Sequence, residues 1–318
     1  MNTFATEGKI DEMSDLSSHD SLDFAFPILK WAGGKKQLIP ELSKRFPQKL
    51  PTGEITTYLE PFIGGGAVFF HVMQHFPVRT GVISDLNPDL ILLYQAVKSD
   101  LSALAKELQL FQEQYYALDE DKKEEWYYQI RDRFNREKMH QTSRAAHLML
   151  LNRTCFNGLY RVNQMGMFNV PFGRYKRPRI YDPGNLKVVS ALLSDITLLH
   201  GDFEDTLRYV QKDTFVYCDP PYRPLNRTSS FTGYAKDGFS DTEQYRLHAF
   251  FEACDKKGAY IMLNNSDPTN HDPHDSFFDD LYASYYIERV PAKRTINSAG
   301  DKRGNINELV ITNYEMKK

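Results

Sequence analysis

The sequence predicts an α/β fold: an open sheet of buried strands alternating with helices, interrupted once by an inserted, mostly helical domain. Three observations point there. Short apolar runs recur as candidate strands, apolar residues at helical spacing lie between them, and one long stretch breaks the alternation.

The strand candidates, in order, are Thr57–Glu60, Val82–Asp85, Ile196–Leu199, Phe215–Cys218, Tyr260–Leu263 and Glu308–Thr312. The interruption runs from about Ser99 to Pro183. Leu101, Leu104, Leu108, Phe111 and Tyr115 recur there at helical spacing, and Trp126 to Phe134 continues in the same style. A Gly-, Asn- and Arg-rich stretch without a strand pattern follows. The expected organisation is an acidic tail (1–25), a main domain split into 26–98 and 184–318, and an inserted domain (99–183).

A length of 318 residues suits about two domains. Charged residues are 25% of the chain, the ordinary globular share, which excludes disorder throughout. No apolar run approaches the roughly 18 residues of a membrane span, and no basic region precedes an apolar core near the N-terminus. Cys155, Cys218 and Cys254 are odd in number and widely spaced, which argues against a disulfide framework or a CxxC metal clip. A cytoplasmic location is the expectation.

The formal charge of −3 hides a strong regional contrast. Residues 1–25 hold six acids and one base, and read as a solvated, disordered tail. Without that −5, the −3 of the whole chain becomes +2. From Lys138 to Tyr181 there are eight bases and no acid. Phe156, Asn157, Tyr160, Asn163, Gln164, Asn169 and Tyr175 interleave them. Bases place a polyanion, and amides and aromatics can read or stack on nucleobases. A merely solvated basic face is the alternative.

Three motifs carry chemistry. In Tyr58–Phe70 a strand runs into Gly64, Gly65 and Gly66 and then a helix-like stretch, so the backbone can approach a ligand closely. It is neither GxGxxG, since Phe69 occupies the last glycine position, nor a GxxxxGK[ST] loop. A tight structural turn would look the same. In Val82–Pro88, Asp85 ends a strand 19 residues after Gly66, the spacing at which α/β nucleotide sites bind ribose hydroxyls. Alone, such an Asp would more often cap a helix. In Phe215–Tyr222 an apolar strand stops at Asp219-Pro220-Pro221-Tyr222, because two prolines cannot continue a ladder. Asp219 and the Pro220 carbonyl then become rigid acceptors beside the flat Tyr222 ring, an arrangement suited to an exocyclic amine.

With these residues the chain resembles the amino-directed, S-adenosylmethionine-dependent DNA methyltransferases, and most closely the α-group adenine-N6 enzymes of the Dam and DpnM type (D12 class). Besides Asp219–Tyr222 the resemblance covers Ile28–Lys35, Glu60–Gly66, Ser84–Asn87, Leu151–Arg153, Phe156–Leu159, Phe168–Lys176, Phe231–Tyr234 with Phe239, and Asn307–Leu309. It implies a Rossmann-like methyltransferase sheet carrying an inserted DNA-recognition domain.

The resemblance also implies roles. Asp219, Pro220, Pro221 and Tyr222 would be catalytic. Trp31, Lys35, Phe62, Gly64, Gly66, Asp85, Asp202 and Asp219 would hold the cofactor, S-adenosyl-L-methionine. An aromatic ring and a cation do suit that molecule's body and carboxylate. Lys30, Phe156, Arg161, Asn163, Asn169, Arg174, Tyr175 and Lys176 would contact double-stranded DNA. Arg174 is placed on a guanine edge, since a guanidinium can bond O6 and N7 together. Phe156 is placed as a wedge near the target. The sequence read would be GATC, although Tyr160–Phe168 and Asn264–Asp267 depart from the Dam pattern.

The implied reaction is direct, in-line methyl transfer to adenine N6 on a base turned out of the duplex, by a monomer without a metal. His271 and His274 have HxxH spacing, but Pro273 lies between them, and a polar loop is the expected reading. Cytosine-N4 methylation, an RNA or protein amide methyltransferase, and a DNA-binding regulator without catalysis are the competing functions.

Overall fold

The computed structural model describes residues 24–223, 239–293 and 305–316. The expectations for the tail up to residue 23 and for Phe231–Tyr234 lie outside them. Among the described residues, seven strands form one sheet: β1 (Thr57–Glu60), β2 (Thr80–Asp85), β3 (Ile196–His200), β4 (Thr214–Cys218), β5 (Tyr260–Ser266), β6 (Tyr286–Lys293) and β7 (Asn305–Thr312). Their order is β3-β2-β1-β4-β5-β7-β6. β1 to β5 are mutually parallel, and β7 enters antiparallel between β5 and β6. The order reverses between β1 and β4, so the loops leaving these two strands part and open a crevice at their C-terminal ends.

The central strands are buried on both faces and read as continuous apolar runs. Alternate residues serve opposite cores. Tyr58, Phe215, Tyr217 and Met262 join one apolar cluster, while Leu59, Val216, Cys218, Ile261 and Leu263 join the other. The first cluster is completed by α1 (Ile39–Ser43), α2 (Ala67–His75) and α3 (Pro88–Ser99), and by the helices that follow them in the chain: α4 (Leu101–Ala117), α5 (Glu120–Arg136), α6 (Gln141–Thr154) and α7 (Pro183–Leu192). The second is completed by α8 (Asp241–Lys256) and α9 (Phe277–Leu281). The chain is therefore a mixed α/β protein whose sheet carries helices on both faces.

All six expected strands are present, and β6 is an addition. Its Glu288, Arg289 and Pro291 obscure the apolar alternation, and Val290 is the one fully buried side chain among its described ones. These are features of an edge strand, where charge and proline discourage pairing with a further chain.

The segment between β2 and β3 holds α4, α5 and α6, then a loop region closed by isolated bridges Cys155–Phe172 and Val162–Phe168. α6 is buried over most of its surface, through Ala145, Ala146, Leu148, Leu150 and Leu151 and also through the polar Thr142, His147 and Asn152. Two of the eight bases in the acid-free stretch point inward, contrary to a wholly DNA-facing reading. Arg144 forms a two-pronged ion pair with Asp89 at 2.5 and 3.0 Å. Arg153 donates to the Ile28 carbonyl at 2.8 Å. Sequence counts bases without their direction, and a helix buried over most of its surface must turn some of them into the protein.

Candidate active site

The glycine loop grows out of β1. Ile63 N donates to the Ser84 carbonyl at 2.9 Å, and Gly66 N closes a turn onto Ile63 at 2.7 Å. Gly64 and Gly66 have φ of +46° and +72°, where a side chain would be strained. A Cβ on Gly64 would also lie 2.8 Å from Trp31 Cδ1, and one on Gly65 3.1 Å from Trp31 Cβ. These glycines let the Trp31 indole rest directly on the loop. Trp31 also stacks on Tyr160, with ring centroids 5.4 Å apart.

β2 ends at Asp85, which organises both of its neighbours. Its Oδ2 accepts from Gly64 N at 3.1 Å and its Oδ1 from Asn87 N at 2.9 Å. Asn87 in turn caps α3, accepting from Asp89 N at 3.0 Å and Leu90 N at 3.2 Å, with Pro88 opening the helix. Burial pushes the Asp85 carboxyl up to about 6, although these backbone donors favour its anion. Helix capping falls to Asn87, leaving Asp85 to the crevice.

β4 ends at Asp219. Its Oδ1 lies 3.0 Å from Lys35 Nζ, an ammonium that is only 6% exposed. Lys35 also donates to the Tyr222 hydroxyl at 2.5 Å and the Gly33 carbonyl at 3.2 Å. Tyr222 in turn donates a hydrogen bond to Glu308 Oε2 at 2.9 Å. Burial raises the Asp219 carboxyl to about 6; Lys35 opposes that rise, and the Glu308 carboxylate adds to it. Burial likewise lifts the Tyr222 phenol well above its usual range.

These groups share one cavity of about 940 Å³. The sequence-designated Trp31, Lys35, Phe62, Gly64, Gly66 and Asp85 line it, as do Asp202 and the Asp219–Tyr222 run. Phe62 packs against Phe203 and Phe239, at centroid distances of 5.4 and 5.9 Å, to give an aromatic end. Asp202 reaches the cavity but also pairs with Arg246 at 2.9 Å and accepts from Glu204 N at 3.0 Å. Sequence reasoning assigned no role to Glu60 or Glu308. Glu60 is buried at the end of β1 and accepts from Tyr58 at 2.7 Å; burial holds its carboxyl well above the ordinary range. Acids written inside apolar strand runs were the available signal for both.

The residues designated for DNA lie outside the cavity: Lys30 precedes α1, and the other seven sit in the loop region of the segment between β2 and β3. Arg161, Asn163 and Asn169 build a small hairpin. Asn169 N donates to the Arg161 carbonyl at 3.0 Å, and Arg161 Nε to Asn169 Oδ1 at 2.7 Å. Asn163 Oδ1 gathers the amides of Met165 and Met167, each at 3.0 Å. Asn163 thus shapes the turn from within. Phe156 is half exposed at the start of a short 3-10 turn. Lys30 lays its stem over Gly158 and its ammonium 4.9 Å above the Tyr175 ring. Arg174, at φ +56°, projects its guanidinium outward at 78% exposure, 3.3 Å from Glu124. Backbone carbonyls of Tyr175 and Lys176 are tied to Tyr115 at 2.5 Å and Lys123 at 3.1 Å, so α4 and α5 fix this loop.

All three cysteines are buried and unbridged. Among the described residues no group of three or more His, Cys, Asp or Glu could hold a metal ion, and no helix is long and apolar enough to cross a membrane.

A family profile described as D12 class N6 adenine-specific DNA methyltransferase matches residues 31–296. The chain is 49% identical over 291 residues to a type II methyltransferase of Methanocaldococcus jannaschii, covering 91% of this chain and 99% of that one. A type II methyltransferase of Lactococcus lactis subsp. cremoris is 39% identical, over 91% of this chain and 95% of its own. The DNA adenine methylase of Haemophilus influenzae is 33% identical, over 89% and 92%.

Proposed function

The chain belongs to the D12 class of N6 adenine-specific DNA methyltransferases, and we propose that it methylates adenine N6 within GATC in duplex DNA, on a base turned out of the helix, with S-adenosylmethionine as donor. The observation that carries this reading is the convergence of Asp219, Tyr222 and Lys35 at the mouth of β4 with the glycine loop and Asp85 in a single cavity.

The residues present fit that donor. The aromatic end at Phe62, Phe203 and Phe239 suits an adenine ring, and Asp85 offers a carboxylate for ribose hydroxyls. The Gly64–Gly66 backbone lines the same cavity, with the Trp31 indole seated on it. When bound, S-adenosylmethionine supplies an electrophilic methyl group on a sulfonium.

The protein's task is the other reactant. An exocyclic amine has its lone pair delocalised into the ring and attacks weakly while planar. Asp219 and the Pro220 carbonyl each accept a hydrogen bond from one of its N–H groups, which favours the tetrahedral nitrogen and stabilises the positive charge that develops there until one N–H proton is released. The prolines make both acceptors rigid, so no reorganisation accompanies the step. Tyr222 offers its ring face to the extruded base. Lys35 keeps Asp219 ionised and aimed.

The test uses four duplexes: one with GATC, one carrying N6-methyladenine in place of the adenine of that site, one carrying N4-methylcytosine in place of its cytosine, and one with the site scrambled. Labelled methyl should enter the first and third and spare the second, and the product should resist a nuclease blocked by adenine methylation. Incorporation that follows the cytosine instead would overturn the adenine assignment. Equal incorporation into a duplex with scrambled GATC would overturn the site.

A further inference from the structure

We infer that Glu308 is a positioning residue for methyl transfer, holding the Tyr222 hydroxyl and the Lys35 ammonium so that the Tyr222 ring and the Asp219 carboxylate face one target amine; this deepens the function proposed above and rests on it. The topology brings Glu308 there. β7 runs antiparallel to β5, so its early residues lie at the edge where the parallel strands end, and Glu308 pairs in register with Ser266 at the end of β5. Because β7 is antiparallel, it is its early residues, Glu308 among them, that reach this edge.

The contacts then define the task. The Tyr222 hydroxyl accepts from Lys35 at 2.5 Å and donates to Glu308 at 2.9 Å, so its oxygen is held from two sides. Glu308 Oε2 is 3.8 Å from Lys35 Nζ, whose other carboxylate partner is Asp219 at 3.0 Å. One ammonium thus lies between two carboxylates, tying the tyrosine that would carry the base to the acid that would meet its amine. Two anions around one cation leave this group net negative behind the cavity wall, the sign that favours charge developing on the amine. The Glu308 side chain is only 14% exposed, so its carboxylate has lost most of its water and depends on these partners.

Among the described residues, the titratable groups that interact with Asp219 are Lys35 from the segment before α1, Glu60 at the end of β1, its neighbours Tyr217, Cys218 and Tyr222, and Glu308 from β7. Removing the Glu308 charge withdraws one repulsion from the Asp219 anion, so Asp219 should ionise at lower pH.

The experiment compares full-length wild type, Glu308→Ala and Glu308→Gln on a GATC duplex. It reads kcat, KM for DNA, the Kd for S-adenosylhomocysteine and the pH profile of kcat/KM. Glu308→Ala should lose about 100-fold in kcat, the scale of a misaligned reacting group, with KM and Kd within about twofold of wild type. Glu308→Gln keeps an acceptor for Tyr222. It should recover to within about tenfold of wild type, and its acidic limb should move to lower pH. Wild-type kcat in Glu308→Ala overturns the inference. So does a Glu308→Gln variant as impaired as the alanine with an unmoved acidic limb. Parallel loss of kcat, both binding constants and thermal stability in both variants also overturns it, assigning Glu308 to folding alone. A wild-type enzyme that leaves adenine unmethylated on this duplex instead overturns the proposed function, whatever the variants do.

Discussion

Trp31 rests on Gly64 so closely that a Cβ at position 64 would come within 2.8 Å of the indole Cδ1. Gly64→Ala should therefore displace the indole, and at φ +46° it also carries left-handed strain of about 1–2 kcal/mol. The expected result is a Kd for S-adenosylhomocysteine at least about tenfold weaker, read by calorimetry, with far-UV circular dichroism unchanged. Unaltered affinity would separate the loop from cofactor binding.

Asp219→Ala should cost about 100- to 1,000-fold in kcat, the range for one preorganised acceptor, while the protein stays folded. Lys35 keeps Tyr222 and Glu308 as partners in that variant, so no buried ammonium is abandoned. Near-normal turnover would exclude Asp219 from the reaction.

Acid should switch the enzyme off earlier than an ordinary aspartate would. Burial raises Asp219 to about 6, and the reaction uses its anion, so activity is present above that pH and lost below it. From pH 6 downward kcat/KM should fall about tenfold per unit. A plateau extending to pH 4.5 would show that Asp219 ionises normally or is not needed.

Arg144 and Lys176 belong to the same basic stretch yet should fail differently. Arg144 is paired with Asp89, and Arg144→Ala should cost roughly 2 kcal/mol of stability, because the pair is only partly shielded from water. Its salt dependence of DNA binding should match wild type. Lys176→Ala should melt normally and lower the slope of log K against log salt by about 0.9. Exchanged outcomes would reverse the inward and outward assignments.

Arg174 stands on a fixed loop with its guanidinium exposed. Arg174→Ala should relax selectivity between GATC and a site altered at the guanine by about 1–3 kcal/mol, measured as a ratio of kcat/KM values. An equal fall on both sites would make Arg174 a phosphate contact.

Much of the sheet was legible because buried parallel strands are apolar on both faces and end at turn chemistry. Thr57–Glu60, Phe215–Cys218 and the Asp219–Tyr222 break could be read directly. β6 could not, since an edge strand with Glu288, Arg289 and Pro291 lacks the alternation that marks a half-buried one. Every residue assigned to the cofactor or to catalysis lines one cavity, because the motifs sit where strands stop. Glu308 carried no role in the sequence, since its importance depends on an antiparallel neighbour that brings it to Tyr222. The inward turn of Arg144 and Arg153 was hidden for a related reason: composition records charge, whereas packing decides its direction.

The late return of β7 also sets a schedule. On the ribosome, the glycine loop, Asp85 and the Asp219–Tyr222 turn all emerge before Asn305–Thr312, which must still thread between β5 and β6. A nascent chain can therefore display nearly every signature residue while its tyrosine and lysine still lack the carboxylate that secures them. Competence arrives in one late step, when the sheet closes around its antiparallel member, and a cut that released this strand would silence a protein whose motifs were all intact.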